Sequence, residues 1–109
     1  MAIILEELGL KYETQIMDFS ELKNSPFEDI NPNGRVPAIE DPNTGCKLWE
    51  SGAIIEYLLD TYDQENTLSP DGGKEDKYQA KCWLHFQTSG QGISKPPWSR
   101  KRVRRRAKL

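Results

Sequence analysis

The chain has 109 residues, of which 36% are hydrophobic and 29% charged, with three Trp; this allows one domain with a modest core, or one domain plus a fragment of another. The net charge of −2 hides a split. Residues 100–109 hold seven of the 15 Lys and Arg and no acid, leaving residues 1–99 with 8 basic against 17 acidic side chains, a net of −9. An acidic body with a basic tail is the reading, rather than an evenly charged domain.

Cys46 and Cys82 stand far apart without a CxxC pair, which speaks against a zinc site or a redox dithiol and for reduced intracellular thiols. No metal is expected. The opening Met-Ala-Ile-Ile-Leu-Glu-Glu is too short an apolar run for a signal peptide. Nothing approaches the roughly 20 apolar residues of a membrane span, so the expected location is the cytoplasm, with no membrane partner.

In chain order, residues 1–8 read as a helix, Ile3, Ile4 and Leu8 on one side and Glu6 and Glu7 on the other, stopped by Gly9. A helix beginning at Met1 has no cap and reads like the middle of an element. Residues 12–19 alternate and favour a strand. Residues 20–30 carry a cap signal at Ser20 and predict one or two short helical turns, interrupted at Pro26. Asn31 to Gly34 is a turn by composition. Val36 to Glu40 and Cys46 to Trp49 read as strands joined by Asp-Pro-Asn-Thr-Gly. From Ser51, apolar residues at 54, 55, 58, 59 and 62 predict an amphipathic helix with Glu56, Asp60 and Asp63 outward. Residues 64–76 are polar, with Pro70, Gly72 and Gly73, and read as linker. Helical spacing resumes over 77–89 through Tyr78, Cys82, Trp83 and Phe86.

The stretch from Asn31 to Tyr62 carries the chemistry. A helix start at Ser51 offers free backbone N–H groups beside a hydroxyl, a ready anion site. Val36-Pro37 offers an extended backbone with one donor removed. Together they suggest an edge for a small, peptide-like, anionic ligand. The plain alternatives are an ordinary edge strand at Val36-Pro37 and a simple helix cap at Ser51. His85 reads as structural or exposed, and Trp49, Trp83 and Phe86 as core.

Asn31-Pro-Asn-Gly-Arg-Val-Pro-Ala-Ile and Leu48-Trp-Glu-Ser-Gly-Ala-Ile-Ile-Glu-Tyr-Leu resemble the N-terminal domain of a glutathione S-transferase. Trp83-Leu-His-Phe-Gln-Thr-Ser-Gly-Gln-Gly and the opening Ala2-Ile-Ile-Leu-Glu-Glu-Leu-Gly-Leu-Lys-Tyr-Glu are similar to the fungal branch that includes the yeast nitrogen-regulatory homologue. The resemblance covers residues 2 to 92. It implies an α/β fold: a thioredoxin-like glutathione-binding domain over 1–68, a linker over 69–76, and the first helix of an all-α C-terminal domain over 77–92. It also implies roles. The Val36 backbone would pair with the cysteinyl backbone of glutathione, and Pro37 would be a cis proline holding that edge. Glu50 would take the γ-glutamyl amino group and Ser51 its carboxylate, with Lys23 or Arg35 at the glycyl carboxylate.

Against the family pattern, Met1 falls inside the first helix. The family's first strand, which lies between two others, and the loop bearing the thiol-activating group have no counterpart, so the chain reads as truncated at both ends. Tyr12, beyond that loop, is not put in the activating role, and no catalytic residue is assigned. The implied activity is conjugation of glutathione, as co-substrate and without a cofactor, to an electrophilic small molecule, in detoxification or fungal secondary-metabolite biosynthesis. The truncated chain is expected to show little turnover. A non-catalytic regulatory or glutathione-binding relative, or an inactive fragment, stands as the alternative. A homodimer is usual in the family.

From Ile93 the resemblance stops. Pro96-Pro97-Trp98 precedes a basic run ending at Leu109 with no amphipathic period, expected to be disordered alone. Three readings stand: a nuclear-import signal, a contact for nucleic acid or an acidic surface, or an unspliced intron or shifted frame after Gly92. The last is favoured, and a nucleic-acid partner is not expected.

Overall fold

The computed structural model describes residues 1–91 and 105–109. Helix α1 (Ala2–Glu7) leads to strand β1 (Glu13–Ile16) and then a long segment of turns. Strands β2 (Ala38–Asp41) and β3 (Cys46–Trp49) form a hairpin, followed by α2 (Ser51–Tyr62), α3 (Lys74–Gly90) and β4 (Arg105–Lys108).

Local chemistry accounts for most boundaries. Leu8 caps α1, and Gly9 follows at φ 63°. Gly9 N–H donates to Glu6 C=O and Leu10 N–H to Leu5 C=O, each at 3.0 Å, the paired closure of a helix end at a left-handed residue. The segment expected to hold short helices at 20–30 forms hydrogen-bonded turns, with Asn31 N–H reaching Phe27 C=O at 3.0 Å. Pro26, on a cis bond, supplies no N–H to extend them. The strands are shorter than the alternation suggested: 13–16 rather than 12–19, and Ala38 rather than Val36 as the start of β2.

The sheet order is β1-β4-β2-β3. β2 and β3 are antiparallel, Ala38 opposite Trp49 and Asp41 opposite Cys46. β4 runs antiparallel to β1 and parallel to β2. This corrects two expectations. The tail, read as disordered over 93–109, contributes a strand at its end, while 93–104 lie outside the described residues. The two strands expected to lack a common neighbour have one in β4, because their facing N–H and C=O groups need partners and any extended segment supplies them.

Successive residues of a strand face opposite sides, and β2 divides two apolar clusters in this way. Ile39 packs with Leu5 of α1 and with Ile54 and Leu58 of α2, all fully buried. Ala38 packs on the other side with Met17, Leu22, Phe27 and Ile30.

The helix expected at 77–89 spans Lys74–Gly90 and has no buried residue. It crosses the first turn of α2, where Leu84 and Thr88 approach Gly52, and Lys81 pairs with Glu56 at 3.0 Å. Tyr78, Trp83 and Phe86 lie on other sides of the helix. Trp83 is 68% and Phe86 58% exposed, their rings meeting edge to face at 5.7 Å. Trp49, at 37%, is also exposed. All three were expected in the core; helical spacing shows which residues share a face but not whether anything covers it.

Candidate functional site

The hairpin places the two halves of the expected site at one end of the sheet. Its last pair is Ala38 with Trp49, so Pro37 and Glu50 each lie one residue beyond the ladder, side by side. The Val36–Pro37 peptide bond is cis. Val36 and Pro37 are half-buried, and among the described residues no hydrogen bond reaches the Val36 backbone.

At Glu50 the chain turns from strand to helix with φ 71° and ψ 120°. A non-glycine residue at positive φ is strained and recurs at ligand sites. The Glu50 side chain is exposed. Its carbonyl accepts from Ile54 N–H at 3.0 Å, so Glu50 is the N-cap and Ser51 the first helical residue. That corrects the reading of Ser51 as the cap, and no side chain caps this end. The first N–H groups of α2 therefore point outward without an intrahelical partner. With the helix dipole and the half-buried Ser51 they make an end whose chemistry suits an anion.

The loop before Val36 is fixed by Asn31, which composition marked only as part of a turn. Asn31 is 2% exposed. Its Oδ1 accepts from Asn33 N–H at 2.9 Å, its amide Nδ2 donates to Arg35 C=O, and its own carbonyl accepts from Gly34 N–H at 2.8 Å. The signal for this was the habit of Asn side chains to bond backbone two residues on. Lys23 donates to Asn33 C=O at 2.7 Å, which ties it to the loop that carries the exposed Arg35. Gly34 has φ 53°, and an added Cβ would overlap the Leu22 carbonyl oxygen and lie 2.7 Å from Lys23 Cδ. Gly34→Ala is expected to lower stability by about 2–3 kcal/mol through left-handed strain plus overlap with backbone; equal urea midpoints for the two proteins would contradict this.

Behind the site, Asp41 fastens the hairpin to α2. The Tyr57 hydroxyl donates to Asp41 Oδ2 at 2.6 Å, Tyr62 donates to the same oxygen, and Asn43 N–H reaches Oδ1 at 2.9 Å. Thr44 in turn donates to Tyr57, whose proton is already committed to Asp41. Burial pushes the Asp41 carboxyl up, but the bonds from Tyr57, Tyr62 and Asn43 outweigh it and hold the carboxyl below its ordinary range. Burial and the Asp41 bond push Tyr57 up to about 12, and the Asp41 bond with burial also raises Tyr62.

At the other end of α2, Asp63 departs from the expected outward orientation. It is 5% exposed and accepts from Thr67 N–H and Oγ1, Leu68 N–H and Ser69 N–H at 2.7–3.0 Å. Burial raises its carboxyl, but these bonds win and lower it strongly. A cleft of about 330 Å³ opens there between α2 and α3, lined by Glu56, Asp60, Lys77 and Lys81 among others, away from Glu50 and Ser51.

Compared with known proteins, residues 1–60 match the family described as glutathione S-transferase, N-terminal domain. The chain belongs to the glutathione S-transferase family. It is 52% identical over 91 residues to the glutathione S-transferase-like protein OpS6 of Beauveria bassiana, covering 84% of this chain and 41% of that one. It is 42% identical over 95 residues to the transcriptional regulator URE2 of Saccharomyces cerevisiae, covering 83% and 27%. Among solved structures it is similar to the glutathione transferase URE2P6 of Phanerochaete chrysosporium, crystallised with oxidized glutathione, with a TM-score of 0.76 and 47% identity over 84% of this chain and 43% of that one. The chain thus spans about two-fifths of the length of transferase-like relatives such as OpS6. The family fold is the one described: a thioredoxin-like glutathione transferase domain with a helix that begins the C-terminal domain.

Proposed function

We propose that these residues form the glutathione-binding site of a glutathione S-transferase. The Val36 N–H and C=O take the cysteinyl backbone of the tripeptide as an added strand would. The Glu50 carboxylate takes the γ-glutamyl ammonium, and Ser51 with the first N–H groups of α2 takes the γ-glutamyl carboxylate. Lys23 and Arg35 serve the glycyl carboxylate. The observation that carries this reading is the strained Glu50 set beside Pro37 at an uncapped helix end. The Phanerochaete structure, with oxidized glutathione bound to a similar chain, supports it.

In the whole enzyme the thiolate of glutathione attacks an electrophilic carbon and displaces its leaving group. A thiol of pKa about 8.5 is only a few per cent ionised at pH 7, so turnover requires a donor that stabilises the anion. Residues 1–109 hold the tripeptide but include no residue assigned to that work. The similarity to URE2 supports a second reading, in which binding serves regulation and not conjugation.

Calorimetric titration with reduced glutathione tests the site. Ser51→Ala is expected to weaken binding about tenfold, the loss of one bond to a charged group, and Glu50→Gln to weaken it comparably. Wild-type affinity in both variants, or no binding by the parent chain, would remove the assignment. An aryl-halide conjugation assay on the same protein is expected to show little or no turnover, because residues 1–109 include no residue assigned to thiol activation; robust turnover would overturn that expectation.

A further inference from the structure

Strand β1 is exposed on both faces, Ile16 to 67%, and its strand partner among the described residues is β4. An element with no packed face is held through its backbone ladder. β4 supplies that ladder in four pairs, from Glu13 opposite Lys108 to Ile16 opposite Arg105. On its other edge it pairs Ala107 with Ile39 and Lys108 with Glu40 of β2. Leu109 completes the attachment: its N–H donates to Glu40 C=O at 3.1 Å, and its side chain packs on the cluster of Leu5, Ile39, Ile54 and Leu58.

Sequence propensity does not explain this strand, because Arg-Arg-Ala-Lys is poor in strand formers. Charge does. Residues paired across strands share a face, so Glu13, Lys108, Glu40 and Lys47 form one row across β1, β4, β2 and β3. The row alternates in sign at every step, and Lys47 Nζ reaches Glu40 Oε2 at 3.8 Å. A slip of one residue would take Lys108 out of the row and turn it to the other face. The wider charge distribution agrees: residues 100–109 carry seven basic side chains and residues 1–99 a net of −9.

We propose that Arg105–Lys108 is a complementing strand supplied by the chain itself, recruited by the acidic body and fixed in register by Lys108 between Glu13 and Glu40. β1 stays on the sheet only while this strand fills the lane. The proposal concerns the assembly of the sheet and stands apart from glutathione binding.

A Thr14→Cys/Ala107→Cys pair in a Cys46→Ala/Cys82→Ala background of the full chain tests it. Facing residues of an antiparallel pair lie about 4.5–5.5 Å apart between Cα atoms, within disulfide reach. Mild oxidation is expected to give a monomer cross-linked between positions 14 and 107, mapped by mass spectrometry. No cross-link, or one formed only between two chains, overturns the proposal. Hydrogen exchange supplies a second reading on proteins without the cross-link. Ala107→Pro, which removes a donor on the β2 side of β4 and so loosens that strand, is expected to speed exchange at the Glu13 and Gln15 amides about tenfold or more relative to Ala107→Ser; equal exchange overturns it. Lys108→Glu is expected to speed exchange more than Lys108→Met, with the difference shrinking as salt rises. Equal effects at low salt would overturn the charge-set register.

Discussion

Asp41→Ala is expected to lower the stability of the chain by about 3–4 kcal/mol. The variant loses two tyrosine hydroxyl bonds and the Asn43 N–H bond to one buried carboxylate, and bonds to a charged group contribute about 1.5–3 kcal/mol each without adding fully. It also leaves the Tyr57 and Tyr62 hydroxyls facing a cavity. The same clamp gives the chain a pH profile with two arms. The Asp41 carboxyl is held below its ordinary value of 3.8, so its contribution is complete above that value and disappears as pH falls through the lower folded pKa. Tyr57 is raised from 10.0 to about 12, so its contribution is complete below pH 10.0 and disappears as pH climbs toward 12. Urea melts of the parent and of Asp41→Ala across pH check both arms. The parent should lose stability toward both extremes, and the variant should show a flatter profile at each. Parallel profiles for the two proteins would show that Asp41 is not the source.

Asp41 also shows what a sequence can and cannot disclose. The hairpin was readable because Asp-Pro-Asn-Thr-Gly closes one, and α2 because Ile54, Ile55, Leu58, Leu59 and Tyr62 repeat at helical spacing; both match the structure at their joint, Cys46–Trp49 followed by Ser51–Tyr62. Residues 36, 37, 50 and 51 could then be placed at one end, since a hairpin brings its two outer ends together. What periodicity does not encode is which loop folds over which residue. Asp63 falls on the polar side of α2 by spacing, yet the loop at Thr67–Ser69 turns back and supplies it with N–H donors. Trp83 and Phe86 sit at helical spacing, but exposure depends on what lies opposite them. β4 was the least legible element. Its side chains argue for a solvated tail, and it is a strand because neighbouring backbones accept one, a property of the sheet and not of the segment. The local shape of the site was also missed by one residue: a Ser after a strand looks like an N-cap, whereas Glu50 takes that place at positive φ.

Phe27→Ala is expected to cost about 3–5 kcal/mol, the range for removing a fully buried aromatic ring and leaving a cavity. Phe27 is 0% exposed and, among the described residues, the largest fully buried side chain. It packs with Met17, Leu22, Ile30 and Ala38, with Val36 against the same cluster. No helix or strand holds the 17–31 segment; turn hydrogen bonds and this cluster do. That distinguishes Phe27 from Leu58, which is equally buried but packs on the opposite face of the sheet with Leu5, Ile39 and Ile54. Both alanine variants should lower the melting temperature. Under conditions where each remains mostly folded, only Phe27→Ala should also weaken glutathione binding, because the loss relaxes Ile30, the Asn31 turn and Val36 together. Leu58→Ala should bind as the parent does. Phe27→Leu, which keeps most of the buried volume, should restore both properties in large part. Titration at low temperature separates the effects: unchanged affinity in Phe27→Ala would mean that the Asn31 loop holds the Val36 edge without help from the core beneath it.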